Sequence, residues 1–100
     1  MPIISTKYQF NAFNINQYTP NNAGVYGLYD PYPTVIYYGK SETSIKDRLL
    51  SHLSGTESRC TQSATYFNVE RNYNPITRER ELLEEHKRLH GRSPKCNDIA

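Results

Sequence analysis

Apolar positions recur with two different periods along the chain, and the change of period marks the elements. Residues 23–29, "AGVYGLY", and residues 34–38, "TVIYY", are rich in β-branched and aromatic side chains, and the Asp30-Pro31-Tyr32-Pro33 stretch between them is turn chemistry. A β-hairpin with a longer loop is expected there. The spacing then lengthens: Ile45, Leu49 and Leu53 recur at i, i+4 and i+8, behind Ser44 as an N-cap and ahead of Gly55 as a stop. That is an amphipathic helix. A polar connection through Cys60 leads to the alternating "ATYFNVE", a third strand, and Asn74-Pro75 opens a second helix that runs through "ITRERELLEEHKRLH" to Gly91. Residues 1–22, with their Asn/Gln-rich "FNAFNINQYTPNN", read as an N-terminal arm offering at most one strand near Ile3–Phe10. The expected order is β-β-α-β-α: an α+β fold with a small three-stranded, mainly antiparallel sheet flanked by helices.

Composition narrows this picture. One hundred residues suit one domain, divided here into the arm, 1–22, and a folded unit, 23–100. No run of eighteen apolar residues suggests a membrane span and the N-terminus lacks the blocks of a signal peptide, so an intracellular location, cytoplasm or nucleoid/nucleus, is expected, without a membrane partner. In such a setting, and without CxxC spacing, Cys60 and Cys96 are expected as two reduced thiols rather than a disulfide or a zinc site. The formal charge of +2 permits a polyanionic partner without requiring one. Lys40, Lys46, Arg48 and Arg59 lie close along the chain and could track phosphates, although a solvated helix face would look the same.

Candidate chemistry begins with the tyrosines. Taken alone, Val25, Tyr26, Tyr37 and Tyr38 are ordinary strand residues. Their order with later residues is more specific: Gly24-Val25-Tyr26, ten residues, Tyr37-Tyr38-Gly39, then Lys40, then Arg48 with His52 four residues on, then a helical glutamate, then Pro94-Lys95-Cys96-Asn97. Arg48 and His52 share one helical stripe beside the apolar one, so both heads can emerge near the tyrosines. On the second helix Ile76, Leu82, Leu83, His86 and Leu89 define an apolar arc into which Glu79 falls, while Glu81 points nearly the opposite way. A carboxylate on a core face is costly unless something holds it. His86 and His90 form an HxxxH pair without the glutamate of HExxH, and packing and surface roles are expected for them.

This ordered set resembles the GIY-YIG endonuclease family over roughly residues 23–97, with two departures: Tyr38 replaces the usual aliphatic middle residue, and the segment between the glutamate and Asn97 is longer than in the shortest members. The resemblance implies a GIY-YIG-like nuclease fold and a metal-dependent DNA endonuclease in which Tyr26 or Tyr37 activates or orients the water, Tyr26 being the expected general base. Arg48 would stabilise charge on the phosphoryl oxygens, with His52 beside it. Glu79, matching the family's E-x-x-L-[IL] signature, would bind Mg²⁺ or Mn²⁺, with Glu81 as the alternative ligand, and Asn97 would help hold the site and the phosphate. A phenol titrates near ~10, so a tyrosine base needs Lys40, His52 or the metal to stabilise its phenolate; a metal- or histidine-oriented water would need none. Lys40, Lys46 and Arg59 are the expected substrate contacts. DNA is the expected partner, with a homodimer or a partner protein supplying specificity. A catalytically silent or partner-dependent nucleic-acid-binding module is the alternative, and a plain structural domain the remaining one.

Overall fold

The computed structural model describes residues 1–98 and gives an α+β fold with four strands and four helices. In chain order these are β1 (Tyr8–Gln9), α1 (Ala12–Tyr18), β2 (Gly24–Tyr29), β3 (Val35–Ser41), α2 (Ile45–Ser54), α3 (Arg59–Gln62), β4 (Tyr66–Arg71) and α4 (Pro75–His90). The strands form one antiparallel sheet in the order β1-β4-β2-β3. The sheet therefore has four strands, not the three expected. The added one, β1, comes from the arm, where Tyr8 pairs with Phe67 and Gln9 with Tyr66 on the outer side of β4.

Residues 1–22 also contribute α1, for which the sequence gave no periodic signal. Asn11 caps it by accepting from the Asn14 amide at 2.8 Å, and seven residues allow a single core residue, Ile15, to be buried. Ile3 is buried on the opposite face of the sheet. Asn68, itself fully buried, ties this segment down by donating to the carbonyls of Ile3 and Ser5 at 3.2 and 3.3 Å. Its remaining oxygen accepts from Tyr29 Oη at 2.9 Å, so a buried amide is satisfied on both ends.

The central strand β2 is buried along its whole length because helices cover both faces of the sheet. Tyr26, Leu28 and Phe67 join Ile15 and α2's Ile45 and Leu49 in the larger core. Val25 and Tyr38 face the other way, onto Leu82 of α4. Two of the expected apolar residues of that helix, Ile76 and Leu89, are exposed; the stripe that faces the sheet is Glu79, Leu82, Leu83 and His86, narrower than the sequence suggested. A sixteen-residue helix laid on a small sheet overhangs it at both ends. Both long helices use the caps read from the sequence, Ser44 and Gly55 for α2 and Asn74 and Gly91 for α4, with both glycines left-handed.

The cysteines depart from expectation: Cys60 and Cys96 form a disulfide, not two thiols. After α4 the chain folds back along the outer edge of β3, where the Cys96 amide donates to the Ile36 carbonyl at 2.8 Å. This brings Cys96 within 5.6 Å (Cα–Cα) of Cys60 on α3, a separation suited to a bridge. Among the described residues no helix is long and apolar enough to cross a membrane.

Candidate active site

Tyr26 and Tyr37 lie on one face of the sheet because the antiparallel register pairs Tyr26 with Gly39 and Leu28 with Tyr37, and cross-strand partners share a face. Their rings stand 6.3 Å apart. Gly39 is what makes room: a Cβ there would come within 2.5 Å of Tyr26 Cζ and Oη and 2.7 Å of the Tyr37 ring. Gly24 is similarly enforced, since a Cβ would run into the Glu70 carbonyl and the Ile45 side chain. The glycines of the two Gly/Tyr clusters are thus packing requirements of the site.

His52, one helical turn after Arg48 on α2, reaches under both tyrosines. Its ring centroid is 5.4 Å from that of Tyr26 and 5.1 Å from that of Tyr37. Tyr26 Oη lies 2.6 Å from His52 Nε2, and His52 Nδ1 lies 2.8 Å from Thr61 Oγ1. The Thr61 hydroxyl also reaches the Ser58 hydroxyl at 3.0 Å and the Ser58 carbonyl at 3.2 Å, and when it donates to either it accepts from His52 Nδ1–H. Nε2 is left as the acceptor of the Tyr26 proton. The result is a hydrogen-bonded chain, Tyr26–His52–Thr61–Ser58, with a neutral imidazole at its centre. Burial and, secondarily, the nearby Arg48 charge lower the His52 pKa to about 4, in agreement with that neutral state.

The same burial acts oppositely on the phenols. Tyr26 is fully buried, and desolvation pushes its pKa well above the usual range; Tyr37 adds to the shift and Arg48 opposes it. Tyr37 is half-buried and is raised by desolvation and then by Glu79, again against Arg48. A standing phenolate at Tyr26 is therefore disfavoured. Neither Lys40 nor His52 supplies the stabilisation expected of it: His52 is neutral, and Lys40 acts on Glu79 instead.

Arg48 is exposed and lies at the centre of the cluster's electrostatics, acting on Tyr26, Tyr37, His52 and Glu79. Glu57, just beyond α2, steadies it, with Oε2 3.5 Å from Arg48 Nε. Glu79 comes in from α4 on the other layer, half-buried, its pKa raised by desolvation and opposed by Lys40 and then Arg48. Glu81 turns away: it is mostly exposed and pairs with Arg78 Nη1 at 3.7 Å. Of the two carboxylates it is Glu79 whose charge bears on Tyr37, while Glu81 is turned to Arg78. Among the described residues no three His, Cys, Asp or Glu side chains cluster as a ligand set, so a cation beside Glu79 would have fewer than three such protein ligands. That donor set fits a hard divalent ion whose other ligands are water and substrate oxygens, and does not fit a structural zinc.

The side-chain amide of Asn97 engages the backbone of Tyr38, accepting from the amide and donating to the carbonyl, both at 2.9 Å. It clamps the returning C-terminal segment to β3 beside Tyr37. Lys40 lies 3.7 Å from Glu42 and shares the surroundings of Glu79, whereas Lys46 and the exposed Arg59 form no ion pair among the described residues. The His86 ring is held by the Arg92 carbonyl at 2.7 Å, 4.5 Å (centroids) from His90, on the far part of α4.

Three participants escaped the sequence: Thr61, Ser58 and Glu57. Ser58 is legible as a helix N-cap, but nothing in the spacing ties Thr61 to a histidine nine residues earlier, since the polar link between α2 and α3 sets their approach. The chain matches no protein-family model and no curated protein.

Proposed function

We propose that this protein is a metal-dependent DNA endonuclease of the GIY-YIG type, hydrolysing a phosphodiester at the edge of β3. The observation that carries the reading is the meeting of Tyr26, Tyr37, His52, Arg48 and Glu79, from two strands and two helices on opposite layers, around one partly exposed tyrosine hydroxyl. Residues far apart in sequence have no packing reason to bring an arginine, a desolvated carboxylate and a histidine-bonded phenol together. Phosphodiester hydrolysis needs these parts: a base path for the water, a cation for the phosphoryl oxygens and a carboxylate for a hard metal.

The roles follow from burial and charge. Arg48, exposed and mobile on a long side chain, binds the scissile phosphate and releases Glu57 as it does so. Tyr37, half-buried, orients the attacking water. Tyr26 hands its proton to His52 Nε2 as it receives one from the water, so that no free phenolate has to exist at Tyr26; Thr61 holds the imidazole in the accepting tautomer. An arriving phosphate also neutralises Arg48, removing one of the two influences that keep His52 from taking up a proton. Glu79 would hold Mg²⁺ or Mn²⁺, which would supply positive charge against that building on the phosphoryl oxygens.

The test is a cleavage screen with supercoiled plasmid, flap, junction and single-stranded DNA under varied metals, run beside Glu79→Ala and Arg48→Ala. Metal-dependent nicking that falls at least a hundredfold in both variants, while DNA binding persists, supports the enzyme. DNA binding that neither variant alters, with no turnover under any metal by the folded wild type, replaces it with a binding module.

A further inference from the structure

We infer that the Cys60–Cys96 disulfide is a thiol-exchange site through which a dithiol reductant loosens the candidate active site. The bridge joins the two segments that support that site from outside. Cys60 precedes Thr61, the residue that receives His52 Nδ1–H. Cys96 precedes Asn97, whose amide grips both backbone groups of Tyr38, the neighbour of Tyr37. Between them the segment is held to β3 by the Cys96 amide bond to the Ile36 carbonyl and by those two side-chain bonds. Without the covalent link the segment is held by those three hydrogen bonds, by the Arg92 carbonyl's bond to His86 and by the burial of Pro94 and Cys96, and each hydrogen bond contributes only modestly against water. α3 is a four-residue turn of helix, too short to hold its own shape without tertiary anchors. One bond therefore keeps both the imidazole's orientation and the edge strand's clamp in place.

The chemistry has a direction. Cys60 is half-buried and Cys96 fully buried, so Cys60 Sγ is the sulfur an external thiolate can reach. Attack there forms a mixed disulfide and breaks the Cys60–Cys96 bond; the electron pair leaves on Cys96 Sγ, which takes up a proton. The second thiol of the reductant then closes its own disulfide and releases Cys60 as a thiol. Two electrons and two protons pass from dithiol to protein. The oxidised protein is the competent form, and the reduced one has an unclamped β3 edge and an unsupported His52. The consequence for cleavage rests on the nuclease reading; the release of the segment does not.

The experiment compares the full-length oxidised protein with the same protein after dithiothreitol, and with Cys60→Ser, by amide hydrogen exchange, imidazole ¹⁵N shifts and Mg²⁺-dependent plasmid nicking. Expected on reduction is at least tenfold faster exchange at the Cys96 and Tyr38 amides with Leu28 in the central strand unchanged, a shifted His52 resonance pair and nicking lowered at least tenfold, all restored by reoxidation. Redox-dependent exchange and His52 shifts with no nicking in either state support the coupling and overturn the nuclease. Unchanged exchange at Cys96 and Tyr38 overturns the inference, as does simultaneous loss of protection at Leu28, which would make the bridge a staple of the whole fold.

Discussion

At the scale of single residues the site is governed by burial. Gly39 has no side chain because the Tyr26 ring occupies the space where one would begin. Gly39→Ala is expected to destabilise the protein by about 1–3 kcal/mol through overpacking, and to lengthen the Tyr26–His52 bond; denaturant midpoints and the His52 resonances report the two effects separately. His52 makes a pH prediction. Its folded pKa of about 4 lies below the ordinary imidazole value of 6.5, so the unfolded chain binds more protons between those limits. Its full contribution to stability is present above pH 6.5 and is lost as pH falls towards 4. The loss is on the order of 3 kcal/mol, against the surrounding Tyr26, Tyr37, Thr61 and Arg48. A His52→Gln variant should flatten that limb of the stability profile; an equally steep limb in the variant would assign it to other groups. Tyr26 was legible as a site residue from its place beside Gly24, whereas its protonation state was not, because that depends on how deeply other elements bury it.

At the scale of elements, hairpin, helices and caps were all readable, because strand alternation and capping are local physics. In the first twenty-two residues only a strand near Ile3–Phe10 was, and it forms as β1, Tyr8–Gln9; α1 was not. Their apolar residues are too sparse to show a period, yet Ile3 and Ile15 are buried on opposite faces of the sheet, so what reads as an arm is packed on both sides of it. Ile15→Ala is expected to cost about 2–5 kcal/mol, measured by urea unfolding monitored through tyrosine fluorescence. A cost below about 0.5 kcal/mol would show that α1 is dispensable to the core. The glutamate of α4 illustrates the opposite case: Glu79 and Glu81 are two residues apart, and the helical period alone pointed one inward and the other outward, as found.

At the scale of the molecule, electrostatics and the covalent bridge matter together. The bridge closes a loop of thirty-six residues and ties α3 to the segment clamped on the β3 edge. The formal charge of +2 is small, so any affinity for DNA must come from local placement of Lys40, Lys46, Arg48 and Arg59 rather than from the overall field. If all four neutralise phosphates of a duplex, the logarithm of affinity should fall with the logarithm of salt at a slope between about −3 and −4, roughly a hundredfold from 50 to 200 mM. Arg59→Ala should reduce that slope by about 1; an unchanged slope removes Arg59 from the interface.

The sequence by itself determined the hairpin, the two long helices and their caps, and the strand between them, because periodicity and turn chemistry are properties of the chain. Only the tertiary structure decided that the sheet has a fourth strand, that two cysteines thirty-six residues apart are bonded, that Thr61 meets the His52 ring, and that Asn97 clamps the backbone of Tyr38. Each of these depends on which segments lie side by side after folding. Such proximity is set by how the two layers pack across the sheet, and no local pattern encodes it.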